Sequence, residues 1–253
     1  MPELYPAGTR IRVGRIPFHA TTMDLAVEDL ISAATKREPI AFRLSNAYCV
    51  ALASRDSDYA RIMSTGGVNF PDGTPVVWIM RLHDRNRRSQ RVRGPSFFRK
   101  GLAAASEANV SNFFLGTTDS TLDLLTKRLT AQHNGLSIAG SYSPPFAPVD
   151  EGFLQECCAR ILESEAQLIW VALGTPKQDF VATQITQRTG LPTAAVGAAF
   201  DFEAGTAEEA PAWMQNSGFE WLHRLASEPK RLWRRYLLGN IRFIYSAVRE
   251  SEK

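Results

Sequence analysis

Asn69-Phe70-Pro71-Asp72-Gly73 places one carboxylate at the end of a short apolar run, where a proline and a glycine fix the backbone around it. The same residues also make an ordinary Pro-Asp-Gly β-turn. What favours a site is the basic stretch that follows, Arg81, Arg85, Arg87, Arg88, Arg91 and Arg93. A carboxylate among several guanidinium groups suits the handling of phosphates, with a solvated charge run as the alternative.

Gly174-Thr175-Pro176-Lys177-Gln178-Asp179 offers a turn, a cation and an amide at a helix start. That set could bind a diphosphate or sugar hydroxyls, although Pro176 opening a helix with a polar first turn explains the same residues. Asp56-Ser57-Asp58 is a D-x-D of the kind that can hold a divalent metal, but its polar surroundings favour a helix cap. His19, His83, His133 and His223 have no ligand spacing, and Ser45 lacks the turn of an activated nucleophile. Neither G-x-G-x-x-G nor G-x-x-x-x-G-K-[ST] occurs, which argues against a standard dinucleotide enzyme and a P-loop NTPase.

These residues need elements to hold them. Apolar runs at 11–15, 40–44, 112–115, 136–139, 168–173 and 193–196 read as strands. Between them, 22–36, 95–108, 120–133, 150–163 and 178–188 carry apolar residues three and four apart, as helices with one buried face do. The alternation predicts an α/β fold, a parallel sheet with helices on both faces. Three strand ends run into glycine turns, at Gly116, Gly174 and Gly197, where backbone N–H groups could approach a nucleotide or the glycine could simply close a tight turn.

After Asp201 the pattern changes to short helices at 208–215 and 218–226 and a last helix from Pro229 to about Val248. From Glu220 to Lys253 there are eight basic and four acidic residues, net +4 against +3 for the whole chain. Arg231, Arg234, Arg235 and Arg242 share one helical face, while Leu232, Trp233, Tyr236, Leu237, Ile241, Phe243, Ile244 and Tyr245 supply apolar and aromatic surface. Such a basic amphipathic tail suits a membrane interface. The expected division is a core over 1–205 and a C-terminal helical appendage over 206–253. Three cysteines, two of them adjacent and none in Cys-x-x-Cys spacing, point to no disulfide framework or zinc site and fit a reducing compartment. With no export signal and no apolar stretch approaching 18 residues, the chain is expected to be cytoplasmic and peripheral on the inner face of the cytoplasmic membrane.

Read in order, the pieces resemble the WecG/TagA/CpsF family of bacterial glycosyltransferases. The resemblance rests on Asn46 in S-N-A, P-D-G at 71–73, R-V-x-G at 91–94, F-F-L-G at 113–116, G-T-P-K-Q at 174–178 and G-A-A-F-D-F at 197–202. It continues through A-P-A-W-M-Q at 210–215, G-F-E-W-L-H-R-L at 218–225 and E-P-K-R-L-W-R-R-Y at 228–236. It implies a Rossmann-like core and an inverting, metal-independent transfer of N-acetylmannosamine or another hexose from a UDP-sugar to an undecaprenyl-diphosphate-linked saccharide, with no cofactor. Asp72 would be the general base. Asn46, Arg91 and Gln178 would line the sugar pocket and Asp201 would lie near the nucleotide, while Arg224, Arg231 and Arg234 would neutralise the leaving diphosphate. Self-association is left open, and nucleic acid is not expected as a partner.

Three positions depart from the family pattern: Leu44 where threonine is common, Ser96 where aspartate is common, and Glu209 where a basic residue is frequent. Leu44 takes a hydroxyl from the pocket, so the donor sugar is open. A nucleotide- or nucleic-acid-binding module with a basic tail is the alternative function, and an oxidoreductase on the same sheet is disfavoured by the missing glycine fingerprint.

Overall fold

The computed structural model describes residues 10–84, 89–218, 220–227 and 229–250. The first elements are an antiparallel hairpin of β1 (Arg10–Val13) and β2 (Ile16–His19), followed by α1 (Met23–Lys36), β3 (Ala41–Ser45), α2 (Ala47–Ala53), α3 (Ser57–Ser64), β4 (Gly67–Pro71) and α4 (Thr74–His83). Next come α5 (Gly94–Glu107), β5 (Asn112–Gly116), α6 (Asp119–Gln132), β6 (Ile138–Tyr142), α7 (Glu151–Glu163), β7 (Leu168–Ala172), α8 (Lys177–Thr189) and β8 (Thr193–Ala195). The C-terminal part is helical: α9 (Ala199–Ala204), α10 (Ala212–Ser217), α11 (Glu220–Ser227) and α12 (Pro229–Glu250).

Six strands form one sheet in the order β4-β3-β8-β7-β5-β6, every pairing parallel, with helices on both faces. The α/β expectation therefore holds. The period-two alternation of strand side chains sorts the core. Phe42, Leu44, Phe70, Phe114 and Trp170 point to one face, where Leu30, Phe97, Phe98, Leu102, Leu122 and Phe200 cover them. Phe113, Leu115, Ile169 and Val171 point to the other, under Leu154, Cys157, Ile161, Val181 and Ile185.

The run at 11–15 is a correction: it lies outside the parallel sheet. Val13 pairs with Ile16 across a two-residue turn. Gly14 there has φ 58°, and a Cβ would come within 2.5 Å of Ser246 Oγ on α12. β6 lies two residues later than expected, because its Gly140 and Ser141 give a weak apolar signal at the sheet edge. Between Asn46 and His83 the structure adds α2, α3, β4 and α4, whose lengths of five to ten residues are too short for a clear period. The D-x-D resolves as a cap: Asp56 accepts the Tyr59 N–H at 2.9 Å at the start of α3, and Asp58 pairs with Arg61 on the surface.

The last helix is not a loose tail. Phe243 and Ala247 of α12 are buried in a third core with Ile11, Val13, Val50, Tyr59, Val76 and Met80, so α12, α4, α2 and the hairpin share packing.

Among the described residues of the six-stranded sheet, one buried position carries a charge. Arg43, in the middle of β3, is fully buried and donates to the carbonyls of Ile62 and Thr65 and to Thr183 Oγ1. Burial pushes its pKa down to about 10, with the charge of buried Asp179 acting the other way, so it remains a cation at neutral pH. Asp179 in turn accepts from Tyr59 Oη at 2.9 Å, which ties α3 and the first turn of α8 to the strand. Removing the cation strands a buried carboxylate and two carbonyls. Arg43→Ala should therefore cost about 3–5 kcal/mol of stability in urea unfolding.

Candidate active site

Parallel pairing sends the carboxyl ends of all six strands to the same edge, and in open α/β sheets that edge is where ligands bind. Here it forms a cleft of about 1180 Å³. Each strand delivers its next residues to the wall: Asn46 after β3, Asp72 after β4, Thr117 after β5, Ser143 after β6, Gly174 after β7, Val196 and Gly197 after β8. The fourth wall comes from the C-terminal helices, through Glu220, Trp221, Asn240, Phe243 and Ile244.

Asp72 is held by its own backbone, whose N–H donates to Ser45 O at 2.8 Å. Gly73 is the N-cap of α4, so the Pro-Asp-Gly segment, which also reads as an ordinary β-turn, is a strand-to-helix junction. Gly94, the first residue of α5, packs beside the carboxylate; a Cβ there would lie 3.7 Å from Asp72 Oδ2 and 3.2 Å from Val196 O. The positive end of α5 thus adjoins Asp72.

Arg91 reaches Asp72 Oδ1 at 3.5 Å and is held more tightly from the other side, by Glu220 Oε2 at 2.7 Å and Gln215 O at 2.8 Å. Glu220 also chelates Arg93, with Nε 3.0 Å from Oε2 and Nη2 2.7 Å from Oε1. Arg93 continues to Glu209, which bonds Arg99, which bonds Glu203 at 2.7 Å. The result is a ladder of alternating charge from the cleft floor to α9, stitching 209–220 onto the core. Burial would raise the Glu220 carboxyl, but hydrogen bonds and charges from Arg93 and Arg91 outweigh it and hold it below the usual carboxylate range. Glu209 follows the same balance, with Arg99 and Arg93.

The other expected residues fall in the same cleft. Asn46 caps α2, its Oδ1 accepting from Tyr48 N at 3.0 Å, which leaves its amide N–H groups to offer. Gln178 sits in the first turn of α8, buried, beside Gly197; its Oε1 and the Nε of Arg91 have no hydrogen-bond partner among the described residues. An unmatched buried acceptor and donor in a cleft are groups that a bound substrate can satisfy. Asp201 accepts from Thr117 Oγ1 at 3.2 Å at the opposite end, near Thr118, Asp119 and the 143–146 turn. The side chains of Arg224, Arg231 and Arg234, and of Leu232, Arg235, Tyr236, Leu237 and Ile241 beside them, lie outside the described residues, as do Arg85, Arg87 and Arg88 of the basic stretch.

The glycine turns divide. At Gly116 a Cβ would meet Ala172 O at 2.3 Å, so that glycine serves strand packing, whereas Gly174 and Gly197 open onto the cleft. Leu44 lines the cleft and Ser96 does not. Sequence reasoning missed Glu220 as a site residue. Its charge is opposite to that of Arg91 and Arg93, but a pairing across 127 residues leaves no spacing signal.

Residues 11–253 match a family model described as "Glycosyl transferase WecG/TagA/CpsF family". A Bacillus subtilis (strain 168) protein, N-acetylglucosaminyldiphosphoundecaprenol N-acetyl-beta-D-mannosaminyltransferase, is 28% identical over 189 residues, 73% of this chain and 70% of that protein.

Two outcomes test the ladder. Glu220→Gln leaves the buried Arg93 short of a counter-charge, and should cost about 2–4 kcal/mol in urea unfolding and speed proteolysis between 205 and 220. The carboxyls of Glu209 and Glu220 are depressed in the folded chain, so their contribution is full above the unfolded value of about 4.5 and fades as pH falls below it. Between pH 6 and pH 3 the melting temperature of Glu220→Gln should therefore fall by less than that of the parent.

Proposed function

The chain belongs to the WecG/TagA/CpsF family of glycosyltransferases, and on that premise we propose that it transfers N-acetylmannosamine or another hexose from a UDP-sugar to an undecaprenyl-diphosphate-linked saccharide, with inversion and without a metal. The observation that carries the reading is Asp72, fixed at the end of β4 beside Arg91 in a cleft roofed by the C-terminal helices. The acceptor's nature is taken from the Bacillus subtilis relative, whose name specifies a diphosphoundecaprenol substrate.

In this mechanism Asp72 takes the proton of the acceptor hydroxyl as that oxygen attacks the anomeric carbon, while the bond to UDP breaks on the opposite face. Asn46 and Gln178 offer amide groups to sugar hydroxyls. The end of the cleft at Thr117, Asp119, Ser143 and Asp201 takes the nucleoside, and Leu44 shapes the donor pocket without offering a hydroxyl. Arg91, with Arg224, Arg231 and Arg234 of the C-terminal helices, balances the charge that develops on the leaving diphosphate. The unit over 206–253 then both completes the site and meets the cytoplasmic face of the membrane. Among the described residues no helix is long and apolar enough to cross a membrane.

The test is release of UDP from a panel of UDP-sugars in the presence of an undecaprenyl-diphosphate-sugar analogue. One UDP-sugar should be turned over, EDTA should leave the rate unchanged, and Asp72→Asn should lower kcat by about 10²–10⁴-fold. Full activity in Asp72→Asn would remove it as the base.

A further inference from the structure

We propose that the apolar chain of the lipid-linked acceptor leaves the cleft over a strip formed by α4 and α12, with Trp78 and Ile244 at its threshold and Leu82 and Val248 one helical turn further out. The inference rests on the lipid-linked acceptor of the preceding section and adds a binding site for the polyprenyl chain itself.

Trp78 and Ile244 both line the cleft, yet each is 60% exposed. Leu82 is 78% exposed and Val248 63%. Each outer residue follows its partner by four positions, so on each helix the pair lies on one face. The same helices bury other residues, Val76 and Met80 of α4 and Phe243 and Ala247 of α12, in one shared core. The exposed apolar residues are therefore surplus to the packing of either helix, and large apolar side chains gathered at the mouth of a cleft mark a ligand or lipid contact.

Position selects the acceptor rather than the donor. α4 begins directly after Asp72 and Gly73, so Trp78 stands about 9 Å along the helix from the carboxylate and Leu82 about 6 Å beyond it, at 1.5 Å per residue. The acceptor hydroxyl must sit at Asp72, which puts the acceptor's own diphosphate and chain on the α4 side. The opposite end of the cleft carries the hydroxyls of Thr117, Thr118 and Ser143 and the carboxylates of Asp119 and Asp201 beside the Phe146 ring, a mixture of polar groups and one ring that suits a nucleoside better than a long hydrocarbon.

Thermal stabilisation of the full chain by prenyl diphosphates of short and long chain, both below their micellar concentration, tests the site without turnover. Binding should tighten with chain length in the parent, and the long-to-short affinity ratio should fall about tenfold in Trp78→Ser/Ile244→Ser, the loss expected from giving up roughly 60 Å² of apolar contact. The outer variant Leu82→Ser/Val248→Ser, whose residues do not line the cleft, should lower the same ratio by a smaller factor. A ratio unchanged in both variants overturns the proposal. So does an unchanged ratio accompanied by weaker binding to phosphatidylglycerol vesicles, which would make the strip a general bilayer contact. Failure of the transferase reading looks different: no UDP-sugar is turned over with either acceptor length, whatever the prenyl diphosphates do.

Discussion

The Glu220 carboxylate, clasped between Arg91 and Arg93, is the interaction on which the site depends. Arg93 is nearly buried, and a guanidinium taken out of water needs a counter-charge with matching geometry. Glu220 supplies both oxygens to it and still holds Arg91. Without that carboxylate two cations would crowd the segment that precedes α5, next to Asp72. With it, α11 is drawn over the cleft, and the floor and the roof of the site become one unit.

Below that clasp lies a rigid base. The parallel sheet gathers six strand ends at one edge, and Arg43 anchors α3 and α8 beneath it through Ile62, Thr65, Thr183 and the Tyr59–Asp179 pair. Gln178 is next to Asp179 on the first turn of α8, so the buried cation fixes the place from which the amide enters the cleft. Charge thus organises the molecule at two depths: once under the sheet, where it is sealed from water, and once at the sheet edge, where it lines the cleft.

The C-terminal helices belong to both schemes. α11 enters the charge ladder, while α12 gives Phe243 and Ala247 to the core that also holds the N-terminal hairpin. On the proposed function, a lipid-linked acceptor requires a polar cleft to be joined to an apolar surface. A helix buried on one side, lining the cleft on a second and exposing Ile244 and Val248 on a third is shaped for that junction.

The sequence by itself determined the α/β class and five of the six sheet strands, because apolar runs and helical period are local signals, whereas β4 was too short to read. The family resemblance named Asn46, Asp72, Gln178 and Asp201, and the fold sets all four around one cleft. Capping at Asp56 was legible because the motif around it is contiguous. What the sequence could not determine was anything built from distant partners. The first strand reads like any other, and only a turn at Gly14 packed against Ser246 sends it into a separate hairpin. Arg93 and Glu220 read as members of charged runs; tertiary folding alone brings them to 2.7 Å. Glu209 looks like a departure from a pattern until Arg93 and Arg99 stand beside it. Ion pairs carry no spacing rule, because either partner is satisfied by any opposite charge that the fold delivers.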